Sequence, residues 1–272
     1  MRLFRKPVPF ADWGYQVRDF QLPADGVVQF AQWQHPRVSV QTVTQDEVDG
    51  LRQFIRPGDF AIDIGAHTGD TTVPIALAAG AGGCVLALEP NPYVFKVLEK
   101  NATLNAERTR IVPQCIAATE EDGAFVFHYG DASYCNGGLA GGWFRNPLRR
   151  RYPLSIVGRN LLRILHREYA AWLPKLSYVK VDAEGYDRSI LESILPVLRE
   201  FQPVIRTEVF CKLTAVERHT LYDLLAGNGY DVFHYEAGAR PQGQSLRREK
   251  MTAAKHFDVL AISKQRRKRL AA

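Results

Sequence analysis

The sequence predicts an α/β fold in which helices cover both faces of a mostly parallel sheet. Apolar, strand-like segments alternate with segments of helical period. The apolar segment Phe60–Ile64 leads into a turn that contains Gly65 and Gly69, and a second apolar segment, Cys84–Leu88, ends in Glu89. Strand, glycine turn, helix, strand and acid is the order in which doubly wound sheets bind a nucleoside.

The chain length fits one large domain preceded by an arm. Residues 1–45 lack a clean hydrophobic period and contain Pro, Gln and aromatic residues, so we expect an N-terminal arm or short strands that pack on the domain. Residues 46–272 form the predicted domain, which an insert at about 139–176 interrupts. The 272 residues are enough to bury a substantial core.

The elements of the domain follow from the alternating periods and from the turn residues between them. A first helix over 46–54 ends before Pro57 and Gly58, which stop a helix and start a turn. Asn91 and Pro92 suit the start of a later helix, because Asn caps helices and Pro fits the first turn. After the first helix we predict a strand over 59–64, a helix over 68–80, a strand over 84–89, a helix over 91–104, strands over 110–117, 124–129 and 177–182, a helix over 186–200, a strand over 203–209 and a helix over 214–227.

The C-terminal part departs from a plain doubly wound sheet. Residues 229–235 and 257–262 both resemble strands, and the segment between them is polar and not helical. Two consecutive strands joined in this way are expected to pair antiparallel at one edge of the sheet. We therefore predict seven strands, mostly parallel, with one reversed strand near the C-terminus.

The net charge of +6 is unevenly distributed along the chain. Residues 143–175 contain eight Arg or Lys and a single acid, Glu168, while residues 264–269 contain five Arg or Lys. Charge localised in this way indicates partners better than the total does.

The basic insert also has a helical pattern. Three arginines recur every four residues, opposite a set of apolar side chains. The arginines are Arg159, Arg163 and Arg167, and the apolar residues are Val157, Leu161, Ile164, Leu165 and Trp172. This amphipathic helix could be a solvated lid, which we favour, or a peripheral membrane contact through residues 143–175. Its arginines would also suit an anionic or lipid-linked glycan.

Cysteine usage and hydropathy favour a cytoplasmic protein. The cysteines are far apart and include no Cys-x-x-Cys pair, so we expect neither a zinc site nor a disulfide framework. No apolar run approaches the roughly 20 residues that span a bilayer, and no apolar signal core follows the first ten residues.

The glycine turn excludes some nucleoside ligands. A dinucleotide site needs Gly-x-Gly-x-x-Gly, but His67 occupies the position of the second glycine. A Walker loop is absent from the sequence. S-adenosylmethionine fits the turn instead: Asp63 would meet its ammonium, the amides near Thr68 and Gly69 its carboxylate, and Glu89 its ribose.

Three motifs in the same order support this cofactor. Asp-Ile-Gly-Ala-His-Thr-Gly, Leu-Glu-Pro-Asn-Pro and Val-Lys-Val-Asp-Ala-Glu-Gly-Tyr-Asp resemble the FkbM-type S-adenosylmethionine-dependent methyltransferases over about residues 46–263. The resemblance implies a Rossmann-like class I methyltransferase fold and methyl transfer to hydroxyls, often on sugars or polyketides. The chain departs from the family at His67, where Asn is usual, and in its long basic insert. The expected cofactor-binding residues are Asp63, Gly65, His67, Thr68, Gly69, Glu89, Asn91, Ile116, Ala117 and Asp182.

Three acids are candidates for the chemistry. Methyl transfer requires alignment of the nucleophile and acceptance of its proton. Asp182, Glu184 and Glu208 follow adjacent predicted strands at the edge where ligands bind. Our hypothesis is that Asp182 orients cofactor or substrate and that Glu184 is the base. For Glu208, pairing with Arg206 or Lys212 is the alternative. No His or Cys spacing supports a metal, so none is predicted.

The leading prediction is an O-methyltransferase that acts on a hydroxyl of a glycan or other small molecule. An RNA or other nucleic-acid-binding methyltransferase that uses the basic insert is an alternative, although the sequence has Asp-Ala-Glu-Gly where base-nitrogen methylation typically uses Asn/Asp-Pro-Pro-aromatic. A nicotinamide-dependent oxidoreductase is disfavoured by His67.

Overall fold

Within residues 12–129, 138–139 and 152–270, which the computed structural model describes, an eight-stranded sheet forms the centre of the protein. The elements up to the insert are β1 (Tyr15–Leu22), β2 (Gly26–Trp33), α1 (Gln45–Arg52), β3 (Phe60–Ile64), α2 (Thr72–Ala79), β4 (Cys84–Leu88), α3 (Pro92–Thr103), β5 (Ile111–Gln114), β6 (Ala117–Thr119), β7 (Gly123–Tyr129) and β8 (Gly138–Leu139). The later elements are β9 (Tyr152–Asn160), α4 (Leu161–Glu168), β10 (Leu176–Val181), α5 (Asp187–Ser193), α6 (Leu195–Phe201), β11 (Val204–Val209), α7 (Ala215–Gly227), β12 (Tyr230–Tyr235), β13 (Gln242–Ser245), β14 (Phe257–Ser263) and α8 (Lys264–Leu270).

The main sheet confirms the predicted α/β fold and corrects its details. Its strand order is β13-β12-β14-β11-β10-β3-β4-β5, and the five strands from β11 to β5 are parallel. The prediction of seven strands with one reversed was wrong, because β13 adds an antiparallel edge strand next to β12. β14 does pair with β12 as expected, but it lies between β12 and β11 and runs antiparallel to both.

The strand register brings the predicted site residues to one edge of the sheet. Ile64, the last residue of β3, lies opposite both Leu88 of β4 and Val181 of β10. Val181 in turn lies opposite Thr207 of β11. The residues that follow these positions therefore meet at the carboxyl edge of the parallel strands, which is where α/β sheets bind ligands.

Buried side chains cover both faces of the main sheet. On one face, apolar residues of α4, α5, α6 and α7 pack against β3, β10 and β11. On the other face, β2, α1 and α2 pack against β3 and β4. The described part of the N-terminal 45 residues thus includes an antiparallel hairpin, β1–β2, whose Val28 and Phe30 are fully buried.

A second, smaller sheet lies beside the main one. Its order is β6-β9-β7-β8. The predicted strand over 110–117 is wrong at its end, since β5 stops at Gln114 and β6 belongs to this second sheet. The predicted strand over 124–129 is confirmed as β7.

The amphipathic helix predicted for the insert is confirmed over Leu161–Glu168, where Leu161, Ile164 and Leu165 are buried, and is wrong outside that range. Residues Tyr152–Asn160 form β9, which pairs with both β6 and β7, so Val157 and Arg159 lie on a strand. The helix α4 begins after Asn160, whose side chain accepts a hydrogen bond from the Arg163 amide at 2.8 Å. Pairing with two strands has overridden the helical period. Residues 140–151 of the insert lie outside the described residues.

Two other helices start or end differently from the prediction. α2 begins at Thr72 instead of residue 68, because the preceding residues form a turn in which the Gly69 amide donates to the Ala66 carbonyl at 2.8 Å. The helix predicted over 186–200 is divided at Ile194 into α5 and α6. Pro196 lies in the first turn of α6 and has no amide to continue the hydrogen-bond ladder.

No helix among the described residues is long and apolar enough to span a membrane. Cys84, Cys115 and Cys211 are free thiols.

Candidate functional site

A cavity of about 790 Å³ opens at the carboxyl edge of β3, β4, β10 and β11. It is lined by nine of the twelve residues that the sequence predicted for the site: Gly65, His67, Glu89, Asn91, Ile116, Ala117, Asp182, Glu184 and Glu208. Asp63, Thr68 and Gly69 are not among its lining residues. The size is ordinary for a site that binds a small molecule or cofactor.

Asp63 holds the start of α2. Its side chain is fully buried, and its Oδ2 accepts hydrogen bonds from the hydroxyls of Thr71 at 2.8 Å and Thr72 at 2.7 Å. Its Oδ1 lies 3.3 Å from Nζ of Lys180. The carboxylate thus interacts with Thr71, Thr72 and Lys180, although its Oδ1 has no hydrogen-bond partner within the described residues. The sequence had predicted a contact with a cofactor ammonium instead.

Thr68 and Gly69 connect the turn to its surroundings. The Thr68 hydroxyl donates to Oε1 of Gln41 at 3.0 Å, and the Thr68 carbonyl accepts from the Asn101 side chain at 2.7 Å. Gly69 has a φ of 94°, and a Cβ there would lie 3.1 Å from Leu98. The two residues anchor the turn to α3 and to the N-terminal segment.

Gly65 lies where two backbone segments meet. Its φ is 74°, and its amide donates to the Leu88 carbonyl at 2.9 Å. A Cβ at this position would lie 1.9 Å from the carbonyl oxygen of Asp182. The glycine is therefore needed for the approach of the turn to the end of β10.

Glu89 presents a buried carboxylate to the cavity. Its Oε2 accepts from the His67 amide at 3.0 Å, and its Oε1 accepts from the Asn91 amide at 2.8 Å. Burial raises the pKa of Glu89 to about 7, although the two amides favour the ionised form. Asn91 caps α3 by accepting from the Tyr93 amide at 3.0 Å.

His67 adopts a left-handed conformation with a φ of 49°. Its ring meets Trp33 of β2 edge-on, with centroids 5.7 Å apart. Burial lowers the pKa of His67, and the neighbouring Asp70 opposes that effect. A neutral imidazole next to the cavity follows from this environment.

Lys180 is a buried site residue that sequence reasoning missed. Its Nζ donates to the Gly65 carbonyl at 2.8 Å and lies 3.6 Å from Oδ2 of Asp182, in addition to its pair with Asp63. Burial disfavours its charge, but Asp63 and Asp182 raise the pKa of Lys180 above its usual value. A lone lysine inside an otherwise apolar strand was the signal that could have revealed it.

The loop after β10 is tied to β11 by Asp187. This side chain is 1% exposed, and it accepts from the Gly185 amide and from the Thr207 hydroxyl, each at 3.1 Å. Burial, with a smaller contribution from Asp182, raises the pKa of Asp187 to about 7. Glu184 occupies the turn of this loop with a φ of 52°, and both Glu184 and Asp182 line the cavity.

Glu208 lies beside the same loop and is 5% exposed. Its Oε1 lies 3.2 Å from Nδ1 of His256, a residue that the sequence analysis missed although it directly precedes the last strand of the main sheet. Burial, followed by Asp182, Asp187 and Glu184, raises the pKa of Glu208 far above its ordinary range.

The pairing of Glu208 with Arg206 is wrong. Arg206 pairs with Asp258 at 2.7 Å and lies 3.9 Å above the Tyr235 ring. The ammonium of Lys212, the other predicted partner, lies 5.3 Å from the centroid of Phe210.

Two further walls of the cavity were not predicted. β7 contributes Phe125, Phe127 and Tyr129, which alternate along the strand and so share one face. The N-terminal segment contributes Val38, Ser39 and Gln41. Only the alternation in β7 was visible in the sequence. No group of three or more His, Cys, Asp or Glu within the described residues has the arrangement of a metal site.

Comparisons with solved structures find distant likenesses. A methyltransferase FkbM from Methylobacillus flagellatus KT aligns at 15% identity with a TM-score of 0.46, over 80% of this chain and 51% of that protein, so the chain spans about half its length. An O-methyltransferase from Bacillus cereus in complex with SAH aligns at 14% identity with a TM-score of 0.42, over 83% of this chain and 84% of that one. A precorrin-6y C5,15-methyltransferase from Geobacter metallireducens GS-15 aligns at 13% identity with a TM-score of 0.43, over 83% and 93%.

No curated protein matches the chain significantly. The sequence profile of the methyltransferase FkbM domain, in contrast, matches residues 63–232, which is more than half of the chain. This match includes the glycine turn, Glu89, the loop after β10 and Glu208. The chain therefore belongs to the FkbM family of methyltransferases.

Proposed function

We propose that this protein is an S-adenosylmethionine-dependent O-methyltransferase that acts on a hydroxyl of a glycan or other small molecule. The observation that carries the proposal is the cavity at the carboxyl edge of the parallel strands, with Glu89 on one side and Asp182 and Glu184 on the other. The family, which is that of methyltransferases, supports the reaction class.

The lining residues fit a nucleoside with a charged amino-acid tail. Each carboxylate oxygen of Glu89 accepts one backbone amide and keeps a lone pair, so ribose hydroxyls can donate to it. The side chain of Asp182 is 47% exposed and can pair with an ammonium, which is the role that the sequence gave to Asp63. The buried side chains of Ile116 and Ala117 supply an apolar surface between β5 and β6.

The proposed chemistry divides between positioning and proton acceptance. When bound, S-adenosylmethionine supplies a methyl group on a positively charged sulfur. The chain's own residues hold the acceptor hydroxyl in line, which is the larger contribution. Glu184 accepts the proton that the hydroxyl loses, an effect worth about 10²–10⁴-fold in rate.

Calorimetric titration with S-adenosylmethionine and with its demethylated product tests the cofactor. We expect both to bind, with NADH as a negative control that separates the oxidoreductase alternative. Transfer of labelled methyl groups to a panel of glycans and hydroxylated small molecules then tests the reaction, and Glu184→Gln should abolish transfer while product binding stays nearly intact. A protein that binds neither form of the cofactor would contradict the proposal.

Two expectations about partners remain predictions. If the acceptor is a nucleic acid, the affinity for RNA or DNA should fall steeply as the salt concentration rises. A peripheral membrane contact through residues 143–175 predicts co-sedimentation with anionic vesicles, and residues 143–151 of that segment lie outside the described residues.

A further inference from the structure

Acidic residues outnumber basic ones among the described residues that line the cavity. Its acidic residues are Asp70, Glu89, Glu120, Glu121, Asp182, Glu184 and Glu208, while Lys180 and Arg206 are the Lys or Arg side chains among the described lining residues. Both of these cations are already engaged. Lys180 interacts with Asp63, Asp182 and the Gly65 carbonyl, and Arg206 pairs with Asp258. The two Lys and Arg side chains of the described lining are therefore already held by the protein's own groups.

Glu208 has a buried oxygen that a donor on a ligand could contact. Its side chain is nine-tenths buried or more, at 6% exposure, and its Oε2 has no hydrogen-bond partner within the part of the chain that the structure describes. Its Oε1 is 3.2 Å from the largely exposed ring of His256. A buried carboxyl oxygen without a partner is costly, so an incoming donor would be favoured there.

Aromatic residues in the cavity lining also suit a cation. Phe125, Phe127 and Tyr129 of β7 and Tyr186 of the loop after β10 all line the cavity. The faces of aromatic rings attract ammonium and guanidinium groups. Glu120 and Glu121, which are exposed on the loop between β6 and β7, add negative charge at the rim and would steer a cation inward.

The proposed cofactor accounts for only part of this charge. Its ammonium is offset by its own carboxylate, so its sulfonium leaves one positive charge, and the proposed function assigns Glu89 and Asp182 to its binding. Glu184 and Glu208 are left at the acceptor end, within interaction range of each other. We propose that this end of the cavity, formed by Glu184 and Glu208, binds a positively charged group of the acceptor, such as the amine of an amino sugar or amino alcohol. This inference rests on the proposed function.

Two arginines in the described part of the insert, Arg159 and Arg163, are engaged away from the cavity. Arg159 pairs with Glu168 at 3.2 Å and Arg163 pairs with Asp122 at 2.8 Å. Neither arginine lines the cavity. The charge that meets the acceptor is thus acidic, whereas the basic segment had suggested an anionic substrate.

Matched probes that differ in charge test the inference. Glucosamine, glucose and glucuronate form one set, and ethanolamine, ethylene glycol and glycolate form a smaller set. Each is titrated by ligand-observed NMR into the protein alone and into the protein saturated with S-adenosylhomocysteine. We expect the amine of a set to bind about 10- to 100-fold more tightly than the neutral probe, since charge-assisted hydrogen bonds contribute about 1.5–3 kcal/mol. The carboxylates should bind most weakly.

Two variants make the test specific. Glu208→Gln should remove most of the preference for amines, and Glu184→Gln should reduce it. Glu200→Gln, which changes an exposed acid on α6 remote from the cavity, should leave the preference unchanged. Equal binding within a set, tighter binding of the carboxylates, or an unchanged preference in Glu208→Gln would overturn the inference. If the parent protein does not bind S-adenosylhomocysteine, that result counts against the proposed function. The titrations without cofactor still measure the charge preference of the cavity.

Discussion

The backbone at Gly65 has a φ of 74°, and a Cβ built there would lie 1.9 Å from a carbonyl oxygen of the neighbouring strand end. The constraint is therefore between two backbone segments of the protein. Gly58 provides a comparison, since its φ is 91° but nothing lies within 4 Å of its added Cβ. Alanine substitutions at Gly65 and Gly58 therefore separate the free-energy cost of a left-handed backbone from that of a steric clash.

We predict that Gly65→Ala destabilises the protein far more than Gly58→Ala does. An alanine in the left-handed region costs about 1–2 kcal/mol, which is all that Gly58→Ala should lose. Gly65→Ala must also displace the end of β10, so its loss should exceed about 3 kcal/mol. Urea unfolding monitored by circular dichroism measures both values. Equal losses in the two variants would show that the turn can move away from β10 without cost.

Individual residues also show what the sequence could reveal about the site. Gly65, Glu89 and Asp182 were predictable because each follows an apolar strand, and parallel strands end at one edge. The sequence does not distinguish the buried Asp63, which accepts from Thr71 and Thr72, from the exposed Asp182. Their difference in exposure depends on the direction of each side chain. His256 meets Glu208 only through the antiparallel packing of β14 on β11, which no local pattern encodes.

At the scale of elements, the sequence prediction failed where a strand pairs with strands that are distant along the chain. The strands of the main sheet were predictable, because β3, β4 and β10 are mostly apolar and every residue in them is buried. The sequence predicts a helix at the end of β9 because Arg159 continues the four-residue spacing of the arginines in α4. The contacts of β9 with β6 and β7 come from distant segments of the chain, so the helical period was misleading.

A single guanidinium joins the elements around Glu208 and His256. Arg218 of α7 is 5% exposed and donates to the carbonyls of two segments. Phe210 and Leu213 follow β11, each with a distance of 3.2 Å. Met251, Ala254 and Lys255 precede β14, with distances of 3.1, 2.7 and 2.5 Å. The planar fork of Arg suits this arrangement better than the point charge of Lys.

We predict that Arg218→Lys lowers the free energy of unfolding by about 2–4 kcal/mol, because several buried carbonyls lose their donors. Arg248→Lys is the matched control, since its side chain is 49% exposed and pairs with Asp223. That change should stay within about 0.5 kcal/mol. Hydrogen exchange at residues 251–256 should rise in Arg218→Lys alone. Stability equal to that of the control would show that other contacts hold the segment.

At the scale of the whole molecule, charge is segregated. The net charge is +6, but the cavity collects carboxylates, of which Glu89 and Glu208 are buried. Burial raises the pKa of both Glu89 and Asp187 to about 7. Carboxylates whose pKa is lowered by a basic partner or by hydrogen-bond donors, such as Asp25 and Asp122, titrate in a more acidic range. The two groups of acids therefore affect stability in different pH windows.

The buried acids predict that the ligand-free protein loses stability as the pH rises from about 5 to about 7. In this window the folded protein keeps protons on Glu89 and Asp187, whereas the unfolded chain, with ordinary carboxyl pKa values near 4, has released them. Stability therefore falls with rising pH, by up to about 1.4 kcal/mol per pH unit for each group. Asp187→Asn should flatten the profile, because Asn can accept from the Gly185 amide and donate to the Thr207 hydroxyl without titrating. Asp223→Asn, at an exposed acid whose pKa the Arg248 hydrogen bond lowers, should leave the slope in this window unchanged. Urea midpoints measured across the range decide the matter: a profile for Asp187→Asn that runs parallel to the parent would mean that Asp187 is already ionised in the folded protein.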